Sequence, residues 1–315
     1  MEKNVTELAV EIKDLKKVYK GAKGKPDKEA LKGVSLSIPK GSFFGLLGPN
    51  GAGKSTLINI MAGLTIKSSG SVQICGHDID KNLRAAKCSI GVVPQELVLD
   101  TFFTVREALD FHAGYYGVPK SGRKTEEIIT ALNLTEQADT HSRRLSGGMK
   151  RRLLVGKALV HSPPVLVLDE PTAGVDVELR EQLWEYVRQL NRQGTTVLLT
   201  THYLEEAQEL CDQIAIINHG TLVAMDSKTN LMATLDQKKM VIRPAGTVST
   251  LPERLKSEGA ILLPGGEIQI EFSPSKTHAG LIIDLVRQEN IEILDLSLTQ
   301  ADLEDVFKFY TKKAA

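Results

Sequence analysis

A chain of 315 residues exceeds the usual size of a single domain, so one large domain and one small one are expected. Its 39 basic residues balance 39 acidic ones, which removes the electrostatic reason to expect a nucleic-acid partner or an anionic lipid surface. A hydrophobic share of 42% is ordinary for a globular protein, and no apolar run approaches the roughly 20 residues that cross a bilayer.

Residues 8–12 and 34–38 alternate apolar and polar side chains and predict antiparallel strands, joined by a solvated loop over 20–28 that is rich in Lys, Gly and Pro. Strand–loop–helix alternation follows. Gly45-Leu46-Leu47 runs into a Gly-rich loop and a helix over about 53–61, and residues 90–93 form a buried strand. Thr104-Val105-Arg106-Glu107 is a capping box that opens a helix toward Tyr116. Two more helices are expected over about 124–134 and 147–161. Val165-Leu166-Val167-Leu168 is a strand of the kind buried in parallel sheets, and the helix behind it stripes Leu179, Leu183, Val187 and Leu190. Residues 195–199 are another buried strand, and 214–217 with 221–223 flank Asn218-His219-Gly220 as a terminal hairpin. Beyond about residue 226 the expected order is strand 239–243, helix 252–257, strands 261–263 and 268–272, helix 276–288 and strand 291–297. That βαββαβ order suits a small ferredoxin-like module. A last helix places Leu303, Val306, Phe307 and Tyr310 on one stripe. The domains are therefore set at 1–228, with a helical portion at about 96–160, and at 229–315.

Three features carry chemistry. Gly48-Pro49-Asn50-Gly51-Ala52-Gly53-Lys54-Ser55-Thr56 satisfies G-x-x-x-x-G-K-[ST] between a strand and a helix. Consecutive backbone N–H groups in such a turn, backed by a helix N-terminus, cradle phosphates; Lys54 is expected to reach the β- and γ-phosphates of a nucleotide and the Ser55 hydroxyl to sit on Mg²⁺. Asp169 and Glu170 end the 165–168 strand, at the edge where open α/β sheets bind ligands. There Asp169 can hold Mg²⁺ and Glu170 can polarise the attacking water. Leu145-Ser146-Gly147-Gly148-Met149 opens a helix as a second anion cradle, which hints at a nucleotide held on another copy. Lys150, Arg151 and Arg152 after it point in different directions on a helix and are read as a solvated face or charge near the nucleotide.

With these features in this order, residues 7 to about 225 resemble the nucleotide-binding subunits of ATP-binding-cassette (ABC) transporters. Gly48 through Thr56 match that family's Walker A loop, Val165 through Glu170 its Walker B strand, and Leu145 through Met149 its signature sequence. Gln95 matches the Q-loop glutamine, which implies that it ligates Mg²⁺ and senses the membrane partner; His202 matches the switch histidine, which implies contact with the γ-phosphate. Ala173-Gly174-Val175-Asp176 resembles the D-loop that crosses to the partner subunit, and Tyr19 falls where the family stacks an aromatic on adenine. Two departures stand out: Met149 replaces the usual Gln and Val175 the usual Leu, while Lys54, Asp169, Glu170 and His202 are all present.

The fold implied is an α/β P-loop NTPase of ABC type, with an antiparallel β subdomain, a helical subdomain and the small C-terminal α+β module. The resemblance further implies a head-to-tail homodimer that sandwiches two ATP molecules and drives a separate integral membrane permease, with no nucleic acid involved. Leu303-Glu304-Asp305-Val306-Phe307 resembles the tail of cassettes from bacterial drug, polysaccharide and lipid exporters. Importer subunits share all the ATP chemistry, so only the tail favours export. Soluble ribosomal ABC proteins normally carry two cassettes per chain, and DNA-repair ATPases of this type separate Walker A from the signature by a long coiled coil, which is missing here. Cys75, Cys88 and Cys211 lack paired or metal-ligand spacing and are expected as buried or half-buried thiols of a reducing compartment. The first residues carry acids where a signal peptide is basic and then apolar. The expected location is the cytoplasmic face of the inner (plasma) membrane.

Overall fold

A computed structural model describes residues 7–21, 26–172, 174–175, 177–236 and 238–313. They divide into two compact units, the first ending at Lys228 and the second covering Thr229–Lys312.

The first unit opens with β1 (Leu8–Tyr19), β2 (Lys28–Pro39), β3 (Phe43–Leu47), α1 (Lys54–Met61), β4 (Ser69–Ile74), β5 (His77–Asp78), α2 (Leu83–Cys88) and β6 (Ile90–Val93). Three helices follow: α3 (Val105–Tyr115), α4 (Thr125–Ala131) and α5 (Gly147–Leu159). The unit closes with β7 (Val165–Asp169), α6 (Val177–Arg192), β8 (Thr196–Thr200), α7 (Leu204–Leu210), β9 (Gln213–Asn218) and β10 (Thr221–Ser227). One antiparallel sheet has the order β2-β1-β4-β5; the other runs β10-β9-β3-β8-β7-β6, parallel except for the β10 edge. A single apolar core joins them, with Val10, Ile12 and Leu15 of β1, Leu57 and Ile60 of α1, and Val165 and Val167 of β7 all buried in it.

β1 extends well past the five residues whose alternation is legible. Its register slips between Ile12 and Leu15, where Asp14 adopts φ 47°, so burial passes from Ile12 to Leu15 and the period-2 pattern breaks. On α3 the Thr104 hydroxyl accepts the Glu107 N–H at 3.2 Å, and the Glu107 carboxylate accepts the Thr104 N–H at 2.9 Å. Arg151 and Arg152 of the basic run on α5 are buried, which rules out the solvated face of the two alternatives for them. Arg152 donates to the carbonyls of Leu132 and Asn133, just past α4, both at 2.8 Å. Cys75 is half-buried and Cys211 buried, as expected of small thiols, whereas Cys88 at the end of α2 is exposed.

The second unit holds most of α8 (Lys228–Thr234), then β11 (Lys238–Pro244), α9 (Glu253–Ser257), β12 (Ile261–Leu262), β13 (Ile268–Phe272), α10 (Ala279–Gln288), β14 (Ile293–Gln300) and all but the last residue of α11 (Leu303–Lys313). The strands order as β12-β13-β11-β14 with every neighbour antiparallel, which is the ferredoxin-like arrangement of a βαββαβ chain. Met240 and Ile242 of β11 and Ile268 and Ile270 of β13 share a core with Leu255 of α9 and Ile282 and Val286 of α10. On α11, Leu303 and Val306 are fully buried, and Phe307 and Tyr310 are half-buried.

Candidate nucleotide site

The loop between β3 and α1 is shaped by what its glycines permit. A Cβ on Gly48 would stand 2.3 Å from the carbonyl oxygen of Ile217 on β9. Gly53, at the N-cap of α1, adopts φ 111°, and a Cβ there would stand 2.7 Å from the Ala30 carbonyl oxygen of β2. Only glycine tolerates both demands. No side chain caps α1, so the orphan amides of its first turn remain available to an anion.

Lys54 is buried, and its Nζ donates to the carbonyls of Gly48 at 2.6 Å and Pro49 at 3.2 Å. Burial pushes its pKa down, while the nearby charges of Glu170 and Asp169 pull it back up. A cation held this way gains from an anion placed over the loop.

Asp169 and Glu170 are delivered by the end of β7. Asp169 accepts the Thr200 hydroxyl at 2.5 Å, its register partner on β8. Glu170 sits at φ 51°, a strained conformation for a non-glycine residue, and is held there by its N–H bond to the Thr200 carbonyl at 3.1 Å. Its two carboxylate oxygens face different partners: Gln95 Nε2 donates to one at 2.6 Å, and His202 Nε2 lies 2.5 Å from the other. Gln95 is itself fixed from α5, by the buried Arg151. Arg151 forks onto the carbonyls of Pro94 and Gln95, each at 2.8 Å. Burial lowers the Arg151 pKa, and the charges of Glu170 and Asp169 oppose that shift.

Tyr19, Asn50, Gly51, Ala52, Gly53, Lys54, Ser55, Thr56, Gln95, Glu170 and His202 line one cleft of about 400 Å³, joined by Lys28 and Ala30 of β2. Gly48 and Pro49, at the start of the loop, accept from Lys54 through their carbonyls, and Asp169 is the last residue of β7. Tyr19, an exposed member of this lining, has the Lys17 ammonium 4.7 Å from its ring centre. The signature residues lie elsewhere. Ser146 caps α5 by accepting the Met149 N–H at 3.3 Å, and Ser146 and Gly147 are exposed and do not line this cleft. Asp176 lies outside the described residues.

Ser55, Gln95 and Asp169 offer a hydroxyl, an amide and a carboxylate, the hard oxygen donors that suit Mg²⁺. Because Gln95 donates through Nε2, its Oε1 is the atom left for a metal.

A Gly-rich anion loop at the mouth of a parallel sheet, with an acid pair on the adjacent strand end, defines a P-loop nucleotide-binding cassette. Residues 31–173 match the ABC transporter family. The linearmycin resistance ATP-binding protein LnrL of Bacillus subtilis (strain 168) is 37% identical over 310 residues, covering 95% of this chain and 96% of its own. The Nod factor export ATP-binding protein I of Paraburkholderia xenovorans (strain LB400) is 39% identical over 312 residues, covering 95% and 99%. Among solved structures, an ATP binding subunit of an ABC transporter matches with a TM-score of 0.65 and 26% identity, covering 72% of this chain and 92% of that one. A dimeric ATP-binding cassette in a post-hydrolysis state with ADP and Pi matches with a TM-score of 0.64 and 27% identity, covering 70% and 98%. The chain belongs to the ABC transporter family as an ATP-binding, ATP-hydrolysing subunit.

Proposed function

We propose that this chain powers an exporter, two copies closing head to tail on Mg-ATP and working a separate membrane permease. The observation that carries the catalytic part is Glu170, clasped between Gln95 and His202 in the cleft that Lys54 also lines. In this reading Lys54 and His202 neutralise charge that develops on the γ-phosphate, and Glu170 orients the water for in-line attack. Ser55, Gln95 and Asp169 would hold Mg²⁺, which would supply positive charge against the phosphates. Tyr19 stacks on the adenine, and the loop from Gly48 to Thr56 cradles the phosphates.

Ser146, Gly147 and Gly148 serve the ATP of the second copy, with Asp176 also crossing to that copy. Supporting this, the Ser146 cradle is exposed and apart from its own subunit's cleft, and a solved neighbour is dimeric. Leu97, Val98, Phe102, Phe111 and Tyr115 are exposed apolar side chains within a short stretch after Gln95, a concentration that suits a protein partner. No helix of the described residues is long and apolar enough to cross a membrane. In this reading the membrane-spanning part is a permease, at whose cytoplasmic face this subunit sits. Export is supported by the names of relatives that align along nearly the whole length, linearmycin resistance and Nod factor export.

Glu170→Gln tests the chemistry. It keeps the shape of the side chain, retains ATP binding, loses nearly all hydrolysis and accumulates an ATP-bound dimer on size exclusion; hydrolysis near the parent rate would sink the role given to Glu170. Affinity capture from gently solubilised membranes tests the partner. An integral membrane protein of several spans is expected, and recovery with only ribosomal or DNA-bound proteins would overturn transport.

A further inference from the structure

Glu206, on α7, is a buried carboxylate with no cation within ion-pair distance among the described residues. Removing a charge from water without a counter-charge is costly unless hydrogen bonds replace the lost hydration. Three donors do so here. The Thr172 hydroxyl donates to Oε1 at 2.8 Å, the Trp184 indole N–H to the same oxygen at 3.4 Å, and the Thr201 hydroxyl to Oε2 at 2.6 Å. Thr172 and Thr201 are themselves buried, and the Thr201 oxygen also accepts the Tyr203 N–H at 2.9 Å.

The location of these donors gives the arrangement its meaning. Thr172 lies two residues beyond Glu170 on the segment leaving β7, and Thr201 immediately precedes His202 on the segment leaving β8. One carboxylate therefore ties together the two segments that present Glu170 and His202, whose side chains meet at 2.5 Å. A carboxylate accepts on both oxygens, so neither an amide nor an aliphatic side chain reproduces the bridge.

We propose that Glu206 is a positioning residue for ATP hydrolysis, holding His202 in register with Glu170; this rests on the roles assigned to those two residues above. Glu206 touches no nucleotide and acts only through the Thr172 and Thr201 hydroxyls.

The test uses the full chain with Mg-ATP under single-turnover conditions. Glu206→Gln is expected to lower the hydrolysis rate about tenfold or more while changing ATP affinity less than about twofold. In a His202→Ala background the same change is expected to cost less than about twofold, because the group it positions is gone. Thr201→Val removes one hydroxyl at nearly constant shape and is expected to reproduce the loss. Trp184, the only tryptophan of the chain, reports by its emission whether the packing survives. If Glu206→Gln does not fold, Thr201→Val alone decides. A parent-like rate, a fully multiplicative loss on top of His202→Ala, or a loss of ATP affinity parallel to the loss of rate would each overturn the proposal. A parent protein no more active than Glu170→Gln would instead overturn the functional reading beneath it.

Discussion

Arg151 shows how a single buried side chain sets the geometry of a loop it does not belong to. Its guanidinium satisfies two carbonyls at once, and the second is that of Gln95, whose amide reaches Glu170. Arg151→Met keeps much of the apolar stem but leaves both carbonyls without that donor, at a cost of about 1–3 kcal/mol in stability. Denaturant unfolding should register that loss, and the hydrolysis rate should fall further than the apparent ATP affinity. Arg151→Lys keeps the charge without the fork and should land between the two. A variant with parent-like stability and rate would remove Arg151 from the site. The residues of the cleft were legible because phosphate binding needs contiguous backbone amides, so Gly48 to Thr56 carry their chemistry as a string. Arg151 was not, because its acceptors lie 56 and 57 positions away and its burial is decided by packing. Glu206 was hidden for the same reason, with donors on three other elements or loops.

The element that most clearly joins local code to stability is α3. Its capping box satisfies two backbone donors reciprocally, and Thr104→Ala should cost about 1 kcal/mol, measured by chemical denaturation. Further along the helix, burial pushes His112 down to about 4 from an ordinary 6.5, with the charges of Lys157 and His161 adding to the shift. Between those two values the unfolded chain holds a proton that the folded chain refuses, so stability falls as pH drops through that window. His161 is lowered by burial as well and contributes with the same sign. Thermal midpoints should therefore fall from pH 7 to pH 5 in the parent, and His112→Phe should flatten the slope without abolishing it. An identical slope in the variant would assign the dependence to other groups. The same contrast explains which elements were legible. α3 announces itself through its cap and β7 through an unbroken apolar run. By contrast β4 is mostly Ser, Gly and Gln with only Val72 and Ile74 buried, and α7 is too short for a helical period to show.

At the scale of the molecule, each unit has an apolar core of its own: one cluster lies among the sheets of the first unit, and another lies between the β11–β14 sheet and helices α9 and α10 of the second. Among the described residues, the second unit has a complete four-stranded ladder of its own, β12-β13-β11-β14. Its 229–312 segment is also well above the roughly 40 residues below which a domain usually needs disulfides or metals to fold. These properties predict two cooperative transitions in urea. The single tryptophan, Trp184, lies in the first unit, so its emission follows that unit alone, whereas far-UV circular dichroism follows both. The two probes should give non-coincident curves, and residues 229–312 produced alone should unfold cooperatively at the midpoint of the component that the tryptophan misses. Added Mg-ATP binds only the first unit in this reading, so it should move the tryptophan transition and leave the other in place. Coincident curves that shift together with ATP would instead mean that the two cores unfold as one. The second unit would then be part of the ATPase's own stability and no longer an independent module attached to it.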